Sequence, residues 1–511
     1  MNKQQDTGSA RRFNCHAELV SASPKPCYTI SMPLAYIKDG KVEYRTFFAP
    51  PKAPAKHKDE QKKETQKNAI PDFSFGVNGA KSGDYRDTWR VFRIMSEFVE
   101  GYQFLSTFHH EVTLFGGARF KKGSAYYKMA RELGKLLAGG GYTTITGGGP
   151  GIMEAANEGA YLGGGESLGI NIQLPFEQRI NPYVKKSIAL HYFFTRKVMF
   201  AVPAQAFVYF PGGFGTLDEF WEIIDLMDNG YLTKTPIILV GKKYWKPLLD
   251  WLPHNSVYIL TPSEKKILAA CHVVDSAQDA FDIIKTTKDA PESCELSPGK
   301  FHCEGQVNWR IFRIMAEVVE GFDFLTGLVK DITVFGTKGI SKLSPYCKSA
   351  EKFGALAAKA GFSVVTGGYS GIAEAANKGA FEQGGDSIGL YMRENQKNTK
   401  PNPYLSRSLA FAFPFTRKLV LTAPSKGFVM FPGGLGTLHQ TMEVLTLVQT
   451  KKIPRLPIVL FGSAFWSPFV TWMKELLAKK YNAILPTDAE LFTITDDPEE
   501  ALKVIEEAYR A

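Results

Sequence analysis

The sequence predicts two tandem α/β domains, each a parallel sheet covered by helices on both faces. Three observations carry this. The chain repeats itself after about 220 residues, short apolar runs alternate with helical patterns inside each copy, and several of those runs end in glycine. Continuous apolar strands between helices are the signature of a parallel sheet buried on both sides. Right-handed crossovers then give a Rossmann-like, doubly wound arrangement.

The repeat can be followed in order. WRVFRIMSEFVEGYQFL at Trp89–Leu105 is answered by WRIFRIMAEVVEGFDFL at Trp309–Leu325. Apolar residues at helical spacing make each an amphipathic helix packed on its domain. VTLFGG (Val112–Gly117) pairs with ITVFGT (Ile332–Thr337), and TGGGPGIMEAANEGA (Thr146–Ala160) with TGGYSGIAEAANKGA (Thr366–Ala380). NPY recurs at Asn181 and Asn402, FTRK at Phe194 and Phe415, and FPGGFGTLDE at Phe210 becomes FPGGLGTLHQ at Phe431. Such a period is far too long for a solenoid and marks two copies of a complete domain. The runs VTLFGG, TTITGG, LGINIQLP, AFVYFPGG and PIILVG read as strands; SAYYKMARELGKLLAGG and the stretch after Thr216 read as helices. The expected organisation is a basic, mostly irregular extension over 1–84, a first domain over 85–287, a linker over 288–304 and a second domain over 305–511. Met32 is an alternative start, because nothing before it reads as structural.

Composition bounds the class. Hydrophobic content of 44% with 22% charged residues is that of an ordinary soluble protein. No run of 18 apolar residues occurs, so no membrane span is expected. The N-terminus lacks the apolar core of a signal peptide. Six scattered cysteines fit a reducing cytoplasm better than a disulfide framework. Cys294, His302 and Cys303 lack the paired spacing of a zinc site and lie in the linker, so no metal is expected. Half of the net charge of +10 lies before residue 73, where 13 Lys/Arg face 8 Asp/Glu. The repeats themselves are then mildly basic, which suits a small anion rather than a nucleic-acid track. The basic run 50–67 reads as a solvated linker, with no aromatic residues interleaved for stacking on bases.

Ligands of open α/β sheets bind at the carboxyl ends of the strands. Three glycine-rich turns fall there in the first copy: Phe115–Arg119, Thr146–Gly151 and Pro211–Thr216. Glycine permits positive φ and close approach of backbone to ligand, and free N–H groups at a helix start attract phosphate. Dinucleotide and P-loop motifs do not fit. No GxGxxG follows the first strand, no acidic residue ends the second, and FGVNGAKSG (Phe75–Gly83) has Ala80 where a P-loop needs glycine. Nothing marks a lysine for pyridoxal phosphate.

Glu219 is the residue that differs between copies, its counterpart being Gln440. Thr216-Leu-Asp-Glu219 fits a capping box, and Thr437-Leu-His-Gln440 fits it equally, so capping alone does not require the charge. A carboxylate beside a phosphate cradle repels phosphate. It serves a reaction in which positive charge develops, as when an N-glycosidic bond breaks and the ribose becomes oxocarbenium-like.

These residues also carry a resemblance. Pro211–Glu219 matches PGGxGTxxE, Arg196-Lys197 matches the RK pair, and TGGGPGIMEAAN matches the first glycine loop of the Lonely Guy (LOG) family, long labelled lysine decarboxylases. The similarity runs from about Val112 to Leu252. It implies a phosphoribohydrolase that splits nucleoside 5′-monophosphates into free base and ribose 5-phosphate, with no metal or redox cofactor. Carried over, Glu219 and Arg196 are the catalytic pair. Gly212, Gly213, Gly215 and Thr216 hold the 5′-phosphate; Gly147, Gly148 and Gly149 line the cleft, with Gly151 and Lys197 also assigned to substrate. Arginine stays protonated, so Arg196 is expected to clamp substrate or position Glu219 rather than act as an acid. Asp218 is a candidate proton donor or a favourable helix charge; His191 and Tyr192 read as packing. The second copy keeps Arg417, Gly433, Gly434, Gly436 and Thr437 but has Gln440, and Tyr369-Ser370 in its first glycine loop. It is expected to cleave poorly. It would complete the first site as an intrachain pseudo-dimer partner, bind a regulatory nucleotide, or serve as structure alone; further homo-oligomerisation stays open. The alternative reading of the whole chain is a nucleotide-binding sensor or carrier without catalysis.

Overall fold

The computed structural model describes residues 34–38, 41–45, 85–174, 180–255, 258, 260–287, 306–328, 330–393 and 400–510. Met32, the basic run 50–67, FGVNGAKSG, Cys294, His302, Cys303 and the linker 288–304 lie outside them. Among the described residues no helix is long and apolar enough to cross a membrane. Within the N-terminal unit, 1–72, β1 (Leu34–Lys38) and β2 (Lys41–Arg45) pair as an antiparallel hairpin. The extension read as mostly irregular contains this short regular element among its described residues. Residues 73–511 form one compact unit holding both repeats.

Repeat one runs α1 (Tyr85–Leu105), β3 (Glu111–Phe115), α2 (Ala125–Gly139), β4 (Thr143–Thr146), α3 (Ile152–Leu162), β5 (Ser167–Ile172), β6 (Lys186–Leu190), α4 (Phe193–Ala201), β7 (Ala204–Tyr209), α5 (Phe214–Asp228), β8 (Ile237–Val240), α6 (Lys242–Trp251), α7 (Pro262–Ala269), β9 (His272–Val274) and α8 (Ala277–Ile284). Repeat two runs α9 (Gln306–Phe324), β10 (Asp331–Phe335), α10 (Pro345–Lys359), β11 (Ser363–Thr366), α11 (Ile372–Glu382), β12 (Ser387–Met392), β13 (Arg407–Phe411), α12 (Pro414–Thr422), β14 (Ser425–Met430), α13 (Leu435–Gln449), β15 (Ile458–Phe461), α14 (Ser463–Trp472), β16 (Thr493–Thr495) and α15 (Pro498–Arg510). The sheet order is β6-β5-β4-β3-β7-β8-β9 in the first repeat and β13-β12-β11-β10-β14-β15-β16 in the second, every pair parallel. Both are doubly wound α/β sheets. Strand order reverses beside β3, so the crevice between β3 and β7 is the topological switch point where such sheets take ligands.

Every residue of β3, β4, β5, β7 and β8 is buried, as expected of strands covered on both faces, including polar ones such as Thr113, Thr144 and Thr146. The helices covering this sheet pack unusually closely. A Cβ at Gly159 on α3 would lie 1.9 Å from the Arg131 carbonyl oxygen of α2, and one at Gly134 would lie 2.2 Å from that of Ala156. The two glycines let α2 and α3 approach backbone to backbone.

The repeats meet through α5 against α13 and α1 against α9. Their apolar side chains merge into one core cluster, in which Phe194 stacks on Phe415 with ring centroids 6.0 Å apart and Phe98 lies 5.7 Å from Phe415. Gly159→Ala should cost about 1–3 kcal/mol in urea denaturation, because a close-packed interface must open to admit the methyl group. Gly139→Ala, at a helical position where a Cβ meets nothing within 4 Å, should be neutral or stabilising.

Candidate active site

Three turns at the carboxyl ends of β4, β3 and β7 are laced together by backbone hydrogen bonds. Gly117 N–H donates to Pro211 O at 3.0 Å, Phe210 N–H to Phe115 O at 2.9 Å, and Ile152 N–H to Gly117 O at 3.1 Å. Gly151, with φ +73°, passes so near that a Cβ would fall 2.4 Å from Gly117 O. The turn after β4 is fixed from above by two buried asparagines. Thr146 Oγ1 donates to Asn157 Oδ1 at 2.6 Å, and Gly148 N–H donates to Thr146 Oγ1 at 2.9 Å. Asn181 Nδ2 donates to the carbonyls of Gly148 and Gly149, each at 3.1 Å. Gly147, Gly148, Gly149 and Gly151 are thereby buried under this network. Sequence reasoning did not give Asn157 and Asn181 a role, although AAN and NPY recurring in both copies was the signal. After β7, the Tyr244 hydroxyl anchors the turn by donating to Gly212 O at 2.7 Å. Thr216 Oγ1 sits 2.1 Å from where a Gly212 Cβ would be. Gly213 and Gly215 remain half-buried.

Arg196 and Glu219 converge here. Arg196 Nη2 lies 3.5 Å from Glu219 Oε1, and its guanidinium covers the Phe193 ring at 4.8 Å. Gly147 brings the first turn to the same place, a Cβ there lying 3.9 Å from Arg196 Nη1. The helix carrying Arg196 is held by α1, whose Glu97 carboxylate accepts from His191 N–H (2.7 Å), Tyr192 N–H (3.2 Å) and Thr195 Oγ1 (2.6 Å). The capping-box expectation is corrected. Helix α5 starts at Phe214 with Gly213 as N-cap and no side-chain cap, so Thr216 and Glu219 are already inside the helix. The glycine turn enters the helix three residues earlier than the threonine pattern implied. Glu219 is therefore free of a capping role, 5% exposed, with its backbone carbonyl accepting from the Tyr209 hydroxyl. Burial pushes its carboxyl up to about 7, against the pull of Arg196 and Lys197 and with repulsion from Glu222 and Glu443.

Lys197 departs from its expected place. Its ammonium is turned into the interface between repeats, 2.8 Å from Asp218 Oδ1, 3.0 Å from Glu222 Oε2 and 3.8 Å from Glu443 Oε1. Burial opposes its charge, but these carboxylates hold its pKa well above the ordinary lysine value. It is a structural cation, and Asp218 is its partner. The Lys197–Glu443 contact is mirrored across the interface by Lys418 Nζ, 3.4 Å from Glu222 Oε1, while His439 Nδ1 lies 3.4 Å from Asp225 Oδ2, a pair whose equivalent positions are Asp218 and Thr446. His439, buried beside Lys418, has its pKa lowered. In the two Lys–Glu contacts, residue i of one repeat meets j of the other and the equivalent i of the other meets j of the first, the rule of an isologous interface.

Repeat two also packs against the segment that leads into α4. A small open cleft is lined from one side by His191–Phe194 and from the other by Leu419, Thr422, Glu443, Leu447, Lys452 and Ile453. Lys452 Nζ donates to His191 O at 2.9 Å. Burial draws Lys452 down to about 8, opposed by Glu97 and reinforced by Arg196 and Arg93. His191 is lowered to about 3 by burial and by the charges of Lys452 and Arg93, so its ring is neutral. Lys452 was not picked out from the sequence, because nothing local distinguishes it; only the packing of the repeats places it. In repeat two, Arg417 Nε is engaged by the Leu390 carbonyl at 2.6 Å, and Gln440 is half-buried on α13.

A doubly wound domain with a guanidinium–carboxylate pair beside a glycine-lined helix start places the chain among α/β proteins with a candidate site at the carboxyl end of the sheet. Of these, the family described as possible lysine decarboxylase matches residues 153–284 and 373–505, together just over half of the chain. The chain belongs to that family, the LOG family, twice over. Among its curated relatives, the cytokinin riboside 5′-monophosphate phosphoribohydrolase of Rhodococcoides fascians is 26% identical over 170 residues, covering 32% of this chain and 86% of the relative. The protein of the same name from Mycobacterium tuberculosis is 28% identical over 175 residues, covering 33% and 86%. Among solved structures, the molybdenum cofactor binding protein of Rippkaea orientalis aligns over 34% of this chain and 95% of its own at 20% identity, with a TM-score of 0.28.

The buried charges make a prediction. Burial alone would raise Glu222, but Lys197, Lys418 and His439 outweigh it and hold the carboxyl down at about 2, against an ordinary 4.5. A depressed folded pKa contributes stability that is complete above the unfolded value and lost as pH falls through the folded one. Glu222→Gln should therefore cost about 3–5 kcal/mol near pH 7, the cost of breaking a buried pair from one side. In urea titrations that deficit should shrink as the pH is lowered from 4.5 toward 2; a deficit independent of pH would contradict the assignment.

Proposed function

We propose that repeat one hydrolyses the N-glycosidic bond of nucleoside 5′-monophosphates, releasing free base and ribose 5-phosphate. The observation that carries this reading is the buried Glu219 carboxylate, paired with Arg196 at 3.5 Å on the first turns of the helix whose start is the Gly212–Thr216 cradle. The cradle offers backbone N–H groups and the positive end of α5 to the 5′-phosphate. The ribose then extends toward Glu219. As the C1′–N bond breaks, its electron pair leaves with the base and C1′ becomes cationic. The carboxylate stabilises that cation and directs water at C1′; a water proton is lost as the new C–O bond forms, and the base gains one proton overall. Arg196 keeps its proton throughout and fixes Glu219. The names of the curated relatives support the same chemistry.

Repeat two acts on this reading as the built-in partner that closes the cleft and sets Lys452 in its wall. The decarboxylase implied by the family description is disfavoured at the RK pair, since Lys197 is held protonated among three carboxylates and imine chemistry needs the free amine.

Incubating the chain with a panel of nucleoside monophosphates should release base and ribose 5-phosphate together. Glu219→Gln should lower turnover by about 10²–10³ with far-UV circular dichroism unchanged. If the ionised carboxylate is the working form, kcat/KM should rise through a limb near pH 7, where Glu219 loses its proton. An acid limb near the ordinary carboxylate value instead would separate Glu219 from the reaction. A second limb, falling near pH 8, should report Lys452 and disappear in Lys452→Met; its persistence in that variant would remove Lys452 from the cleft's chemistry.

A further inference from the structure

The two glycine cradles are nearly identical in sequence and differ in what stands over them. At the start of α13, the Leu435 N–H donates to Glu264 Oε1 at 3.1 Å. A Cβ at Gly434 would lie 2.1 Å from that same oxygen and 2.5 Å from the Tyr258 hydroxyl oxygen. Glu264 belongs to repeat one. It is 5% exposed, and its carboxylate is fixed by the Tyr258 hydroxyl at 2.9 Å and by the Thr261 N–H at 2.8 Å. This second bond is half of a genuine capping box at the start of α7. One side chain thus caps its own helix and presents its other oxygen to the helix start of the opposite repeat. Gly434 is buried as a result, whereas its counterpart Gly213 is half-buried.

The corresponding carboxylate over repeat one is Asp488, and it points elsewhere. Its Oδ2 accepts from Leu485 N–H at 2.7 Å and from Gln449 Nε2 at 2.6 Å. The nearest neighbours of Gly213 are instead the Ala483 carbonyl and the Ile484 side chain. The shorter side chain completes the local cap without extending across the interface.

We propose that the anion position of the second cradle is filled by the chain's own Glu264 carboxylate, so that the protein takes one phosphorylated ligand per chain, in repeat one. A helix start with free N–H groups favours any anion, and a carboxylate held there by the fold competes with free ligand as an intramolecular one. A phosphate monoester entering the second cradle would meet that carboxylate at hydrogen-bond distance from the same N–H, and like charge would exclude it. The second repeat is thereby closed from within, rather than serving as a site for a regulatory nucleotide. This inference rests on the proposed function only in taking the first cradle as the phosphate site.

The test is the stoichiometry of ribose 5-phosphate binding, measured by titration calorimetry on the full-length chain. This probe needs no knowledge of the base. The native chain should bind one equivalent. Glu264→Ala should bind two. Glu264→Asp should also bind two, while keeping the cap of α7 as Asp488 keeps the equivalent one, and so answers the case in which the alanine variant does not fold. Two equivalents on the native chain, or one equivalent that stays one in the folded variants, would overturn the proposal. A native chain that binds none and releases no base from any nucleotide would overturn the catalytic reading instead; the variants should still gain one equivalent over native, and failure to gain it would sink the plug as well.

Discussion

The constraint on which the structure depends is the burial of charge where α5 meets α13. Lys197, Asp218, Glu222, Lys418, His439 and Glu443 are all at most 9% exposed, yet they lie within 4.0 Å of one another in a chain of contacts crossing the interface. Removing such charges from water is expensive unless each finds a partner. The partners come from both repeats, so neither α5 nor α13 can keep its present sequence without the other. These are also the helices whose starts form the glycine cradles. The same packing that solves the charge problem fixes where each cradle stands relative to the opposite repeat.

The asymmetry of the copies follows from this interface. Along its inner face α5 carries Asp218, Glu219, Glu222 and Asp225, and the equivalent positions of α13 carry His439, Gln440, Glu443 and Thr446. Two copies of α5 facing each other about a twofold would bring eight acids together against two RK lysines. Like charges at this separation, in a medium of low dielectric, would force several to take up protons. A tandem chain escapes the symmetry. One helix keeps its acids and the other replaces three of them with His439, Gln440 and Thr446, of which His439 meets Asp225 and Thr446 stands by Gly215. The loss of charge at Gln440 then belongs to a wider discharge of α13, not to a single lost residue.

Much of the fold was legible because it rests on local patterns. VTLFGG, TTITGG and AFVYFPGG became the central strands β3, β4 and β7, whose burial on both faces favours short runs of β-branched, aromatic and aliphatic residues. The edge strands β6 and β9 were missed: β6, Lys186–Leu190, is largely exposed, and β9, His272–Val274, has three residues. Neither carries a pattern long enough to separate it from a loop. At the site, glycine turns, Arg196 and Glu219 stood out because their chemistry is local. Lys197 was misplaced because an RK pair reads as one unit, while successive helical residues point about 100° apart and so into different surroundings. Lys452 and Glu264 were invisible for a further reason. Each acts on the opposite repeat, at a sequence separation that no window spans.

The second repeat is therefore more than a worn copy of the first. Glu219 owes its position to Arg196 and the cradle, but part of its proton affinity comes from Glu443 across the interface, whose charge adds to burial in raising it. Lys197 lowers it again, and Lys197 in turn is held protonated by Asp218, Glu222 and the same Glu443. The Glu219 carboxylate is thus balanced between charges of its own repeat and one in the other. Detaching repeat two would do more than expose an apolar face: it would admit water to α5, remove one of the charges repelling Glu219, and return that carboxyl toward its ordinary value. On this argument the duplication preserves in one chain the low-dielectric setting that a single copy of the domain would have to find in a partner.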